Sequence, residues 1–177
     1  MGLQANSLTA QGRTLHQVVA GGTREGNLWQ ANVDARELNG HLTFKPSSNA
    51  QQGQLFARLS RLNLPPSAAS EVESLLETPP AQLPALDIVV DELELRGKKL
   101  GRVEIEAINT EPGRNSINAG NEWQLKKFNI TLPEGNLRST GRWLAARGSS
   151  PLRKTEMNFV LDVKNAGDLL TRLGTPD

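Results

Sequence analysis

The first twenty residues return, without a gap, eighty-five positions later: Leu3, Ala5, Leu8, Ala10, Gly12, Leu15 and Val18 align with Ile88, Val90, Leu93, Leu95, Gly97, Leu100 and Val103. The match resumes beyond a longer loop, where Trp29-Gln30 and Gly40-His41-Leu42 answer to Trp123-Gln124 and Gly135-Asn136-Leu137. A recurrence of this length means a repeated structural unit. Stacked units build elongated surfaces in place of one catalytic cleft.

The periodicity inside each unit is two, the mark of half-buried strands. Trp29, Ala31, Val33 and Ala35 alternate with Gln30, Asn32 and Asp34; Val103, Ile105 and Ala107 alternate with Arg102, Glu104 and Glu106. Met157, Phe159, Leu161 and Val163 alternate in the same way with polar neighbours. One apolar and one wet face suit an antiparallel sheet. The phase slips between Val90 and Leu93 and between Leu125 and Phe128, and also between Ala5 and Leu8. A slip of one residue would send later side chains to the other face unless an extra residue absorbs it, so bulges are predicted near Asp91-Glu92 and Lys126-Lys127.

Turn residues divide the strands. Gln11-Gly12-Arg13 and Arg96-Gly97-Lys98 mark one equivalent pair of hairpins, Asn39-Gly40 and Glu134-Gly135-Asn136 a second. Polar stretches at 46–53, 111–121 and 146–154 read as loops. A short helix is expected over 67–77, between prolines, and a second over Ala166 to Leu173, with Leu169, Leu170 and Leu173 on one face and Gly174 as its C-cap. The expected organisation is a first unit over 3–77, a Pro-rich linker over 78–85 and a second unit over 86–173, each unit a five-stranded meander followed by a helix. The fold class is mainly β: antiparallel meander sheet or sheets, strongly curved, groove-like or sandwich-like, with two short helices. Periodicity alone favours a sandwich of facing sheets over one sheet curled around an apolar channel.

Chemistry is harder to find. With 20 Lys+Arg against 19 Asp+Glu and no basic stripe, nucleic acid is not an expected partner. There is no cysteine, so disulfides, thiol catalysis and cysteine metal sites are excluded, while the compartment stays open. His16 and His41 lie in different hairpins, their counterparts are Gly101 and Asn136, and no acidic cluster completes a metal site. Asp87, Asp91, Glu92 and Glu94 read as solvating groups on strands, not as a carboxylate pair for glycoside hydrolysis. Three Trp, four Phe and no Tyr make a poor stacking platform for sugars or single strands. No cofactor and no enzymatic activity are expected. What the repeat preserves is a surface.

No apolar run approaches the ~18 residues that span a bilayer, and residues 1–20 lack the charged and apolar segments of a signal peptide. The chain begins inside one unit and closes another, so it is expected to be an excised section of a longer protein.

The runs Leu83-Pro84-Ala85-Leu86-Asp87-Ile88, Leu100-Gly101-Arg102-Val103, Trp123-Gln124-Leu125, Gly141-Arg142-Trp143 and Val163-Lys164-Asn165-Ala166-Gly167-Asp168-Leu169-Leu170 through Gly174 resemble the periplasmic repeat region of the AsmA-like family, in its YhdP branch, related to TamB. The resemblance covers about 83–174 well and 3–64 more weakly, through the repeat. It implies a section of a bridge-like lipid conduit in the periplasm of Gram-negative bacteria, anchored in the inner membrane by a segment absent here. Its partners would be phospholipid acyl chains moving toward the outer membrane. Candidate groove or core residues are Val33, Leu55, Leu59, Val103, Ile105, Phe128, Ile130, Phe159, Leu161 and Val163, chosen for their one-faced alternation. The second expectation is a non-catalytic β scaffold that self-associates through open edge strands.

Overall fold

A computed structural model describes residues 2–10, 13–48, 52–65, 83–110, 122–144 and 154–174. The alternating segments form ten strands: β1 (Gly2–Ala10), β2 (Arg13–Glu25), β3 (Leu28–Asp34), β4 (Leu38–Lys45), β5 (Gln54–Leu64), β6 (Ala85–Leu95), β7 (Lys98–Thr110), β8 (Glu122–Leu132), β9 (Gly135–Leu144) and β10 (Lys154–Val163). They make one sheet in chain order, with β1 and β10 at its two edges. The sandwich of facing sheets favoured by periodicity is therefore not the arrangement. Alternation requires only that one face be apolar, and it does not say what lies against that face.

Every neighbouring pair is antiparallel except β5 and β6, which run parallel. This departs from the all-antiparallel meander expected. The physical reason is the length of the connection. An antiparallel neighbour can follow a two-residue turn, whereas a parallel one needs a crossover of a dozen residues or more. Residues 65–84 are long enough to carry the chain back to the end where β5 began. Ala85 N–H then donates to Gly53 O at 2.8 Å, and Arg96 N–H to Leu64 O at 2.8 Å, fastening the joint at both ends. The second unit consequently repeats the first with the same strand direction. The main apolar cluster sits on this seam: Ala57, Leu59 and Val90 are buried, with Leu38, Leu42, Leu62, Ile88 and Leu93 packed against them.

Both expected bulges are present. The β6–β7 register shifts between Val90 and Leu93, and the β8–β9 register shifts between Leu125 and Phe128. The slip between Ala5 and Leu8 has a different outcome. The β1–β2 register does not shift, although the Asn6–Gln17 pair is missing from the ladder, and Gln17 adopts a positive φ of 55° on the facing strand.

At the Arg96-Gly97 turn both residues have positive φ (52° and 76°), the two-residue hairpin geometry whose twist matches the strands. Gln11 and Gly12 lie outside the described residues. Asn39-Gly40 is not a turn. It lies within β4, at a bulge against β5, and the chain reverses earlier, over 35–37. The counterpart turn is Pro133-Glu134, and Gly135 already opens β9. A tight turn at Gly26-Asn27 joins β2 to β3.

The helix α1 (Ala166–Leu173) falls where its apolar spacing and the Gly174 C-cap predicted. Asn165 Oδ1 accepts the Asp168 N–H at 3.3 Å, and Gly174 takes φ 80°. The helix expected over 67–77 lies outside the described residues.

Candidate functional site

Residues paired across strands share a face, so the register assembles the surface directly. One rung crosses all ten strands: Leu3, Ala20, Val33, Gly40, Leu59, Val90, Val103, Ile130, Leu137 and Leu161. It contains no polar side chain. The next runs from Gly22 through Ala31, Leu42, Ala57, Ile88, Ile105, Phe128 and Ser139 to Phe159. A third joins Trp29, Phe44, Leu55, Leu86, Ala107, Leu125, Gly141 and Met157. Val163, opposite Gly135, continues the face beyond Leu161. Ten strands at about 4.8 Å spacing make an apolar strip on the order of 40 Å long.

All ten candidate residues lie on this one face. The structure separates them by environment. Leu59 and Val103 are 5% and 2% exposed, while Phe159 and Leu161 are 61% and 60% exposed. Val163, Met157, Trp29 and Phe44 are exposed too. Val33, Leu55, Ile105, Phe128 and Ile130 are half-buried. The strip is thus closed along its middle and open toward β10 and toward the Trp29–Phe44 margin. Sequence reasoning missed Ala57, Ile88, Val90 and Leu137. Their signal was the same alternation, which in β6 runs through Leu86, Ile88 and Val90 ahead of the bulge.

Ser139 is a polar residue buried on this face, and its Oγ has no hydrogen-bond partner. At one margin Trp123 and Trp143 meet edge to face, centroids 6.1 Å apart, and the Trp123 indole N–H donates to Pro84 O at 2.9 Å. That bond fixes the start of β6 against β8.

The opposite face is wet and charge-paired. Arg58 meets Asp87 at 2.8 Å and Arg142 meets Glu156 at 2.5 Å; Arg102 pairs with Asp91 and reaches Glu104 at 3.2 Å. Such exposed pairs contribute about 0–1 kcal/mol each. A depression of about 340 Å³ opens near the ends of β4 to β7, where Leu28 and Ile108 mix with Lys45, Asp87 and Glu106. His41 is occupied by its own strand neighbours, Nδ1 with Asn32 Oδ1 at 2.9 Å and Nε2 with Thr43 Oγ1 at 3.0 Å. His16 contacts Glu37 at 2.7 Å. Burial pushes the Glu37 carboxyl up, but the His16 backbone N–H and ring outweigh it and hold that carboxyl below its ordinary range. Among the described residues no group of three or more His, Asp or Glu could hold a metal ion.

Glu134 holds the rim of the second unit. Its carboxylate takes the Arg172 guanidinium in two contacts, at 2.6 and 2.9 Å, while Lys164 N–H donates to its carbonyl at 2.8 Å. Arg172 also reaches Lys99 O at 3.4 Å, and Lys98 Nζ donates to Leu173 O. These polar contacts pin α1 to the sheet while leaving Leu170 and Leu173 exposed. No described helix is long and apolar enough to cross a membrane.

No curated protein and no solved structure matches the chain. A family model does, described as YhdP protein, and it spans residues 1–177.

Proposed function

The chain belongs to the YhdP family, and on that premise we propose that it is a section of a lipid-transport protein of the bacterial envelope, holding acyl chains against the apolar face of its sheet. The observation that carries this reading is the rung from Leu3 to Leu161, apolar on every one of ten strands and open toward β10. An acyl chain needs a trough without interruption, and each methylene moved from water onto such a face gains about 0.8 kcal/mol. The face carries no charged side chain on this rung, and Phe159, Leu161 and Val163 offer its exposed end to an acyl chain. In this reading the sheet curves around its cargo, the stretch lies in the periplasm, and an inner-membrane anchor outside this sequence fixes one end. The cargo is phospholipid bound for the outer membrane.

The test is native mass spectrometry of protein purified from a bacterial envelope fraction without detergent. Phospholipid should co-purify. Phe159→Asp and Leu161→Asp, at exposed positions where folding is spared, should lower the bound fraction several-fold. Wild-type protein that carries no lipid in repeated preparations would overturn the reading.

A further inference from the structure

We propose that the Ser139 hydroxyl donates a hydrogen bond to the carbonyl oxygen of an acyl ester, a fixed polar point at which the apolar face holds a lipid. The proposal rests on the reading of that face as a lipid-holding surface and adds to it the chemical class of the cargo. Ser139 lies on β9, on the rung that runs from Gly22 to Phe159, and it is the one polar side chain of that rung. Its cross-strand neighbours are Phe128 on β8 and Phe159 on β10. Leu137 and Gly141 share its face along β9. The residue is 3% exposed, and its Oγ has no hydrogen-bond partner. A strand lies on either side of it, and neither supplies one.

A hydroxyl taken out of water without a partner is destabilising, and an alanine at the same place would avoid the penalty. On a surface that meets cargo, such a group marks a contact that the cargo completes. The surroundings select the acceptor. It must arrive on a molecule that lies among Phe128, Leu137 and Phe159, so it is joined to hydrocarbon. No cationic side chain stands on this rung, so a fatty-acid carboxylate would leave its charge unpaired in apolar surroundings. An ester carbonyl is a neutral acceptor attached directly to an acyl chain, and it fits both conditions. The cover over Ser139 can part without moving a strand. Met157 leans toward β9, its Cγ 3.1 Å from where a Cβ on Gly141 would sit. Met157 and Phe159 are both exposed, and exposed side chains change rotamer rapidly. One neutral hydrogen bond gained in this way raises affinity roughly fivefold, little enough for the cargo to be released again.

The test is a competition between two phospholipids of the same headgroup and chain length, one with ester and one with ether linkages. The ether lipid keeps the hydrocarbon and lacks the carbonyl. Protein is incubated with vesicles containing equal amounts of both, separated from them, and the bound lipid is read by native mass spectrometry. Wild type should hold the diester about fivefold over the diether. Ser139→Ala should hold both equally, and its urea midpoint should match or exceed that of wild type, because it removes a hydroxyl without a partner. Wild type that binds both lipids without preference would overturn the proposal and leave the lipid reading standing. A preference that persists in Ser139→Ala would overturn it by placing the carbonyl contact elsewhere. A lowered urea midpoint in Ser139→Ala would overturn it by showing that the protein itself satisfies the hydroxyl. Protein that takes up neither lipid would overturn the lipid reading and this proposal with it.

Discussion

Gly40 is the residue on which the fourth strand depends. Its φ of +145° is one that side chains rarely adopt, and a Cβ built on it would lie 2.2 Å from Arg58 O and 2.8 Å from Leu59 Cα. Both obstacles are backbone of β5, the strand at the seam, so neither can turn aside. Gly40→Ala should cost about 2–4 kcal/mol in urea unfolding, as a backbone strain and a clash combined. Gly26→Ala, at φ +59° with open space around it, should cost about 1 kcal/mol. Comparable losses for the two would show that the close approach at Gly40 is not limiting. The sequence revealed that a glycine was needed at Asn39-Gly40 but not why. Asn-Gly reads equally as a turn or as a bulge, and the choice between them is made by the facing strand, which lies some twenty residues further on. That the ten candidate residues share a face was legible for the opposite reason. Alternation is a local property, and it assigns a side chain to a face without knowledge of any partner.

Among the elements, α1 shows how a helix of eight residues can be placed without a buried face. Its length and C-cap were readable from the Leu169, Leu170 and Leu173 face and from Gly174. Its mode of attachment was not, because the partners of Arg172 and Leu173 are Glu134, Lys98 and Lys99, far away in sequence. The hydrogen bond and charge of Arg172 hold the Glu134 carboxyl below its ordinary range, and Glu134 holds the Arg172 guanidinium above its own. A carboxyl depressed in the folded state contributes stability above its unfolded pKa and loses it as pH falls through the folded one. Lowering the pH from 7 through the carboxylate range should therefore release α1 while the strands persist. The amide protection of 166–173, taken relative to intrinsic exchange at each pH, should fall at the acid end, and Arg172→Ala should already be poorly protected at pH 7. Protection in the wild type that is flat across this range would remove Glu134 as the fastening. The parallel pairing of β5 and β6 was also hidden. A strand pattern carries no direction, and only the length of 65–84 hinted that the chain had room to return.

Taken as a whole, the molecule is one sheet whose main apolar cluster straddles the boundary between its two repeats. Repeats joined in this way unfold together when the interface term is large relative to each unit. Trp29 reports on the first unit and Trp123 with Trp143 on the second. Trp29→Phe protein followed by fluorescence should therefore show the same urea midpoint as wild type followed by circular dichroism. Leu59→Ala, at the seam and 5% exposed, should cost about 2–4 kcal/mol and shift both signals equally. Phe159→Ala, on the open margin, should cost under about 1 kcal/mol. Two separated midpoints in the wild type would show that the seam does not couple the units.

The parallel seam also bears on how such a chain can change its length. A five-stranded unit ends pointing as it began. If the next unit were joined by a hairpin, each added unit would reverse the direction of everything downstream and move later helices to the other margin. The returning segment 65–84 removes that constraint. A whole unit can be duplicated or deleted in one genetic event, and every remaining strand keeps its direction, its partner type and its apolar side. Length then becomes a trait that can drift in steps of one unit without remaking the fold.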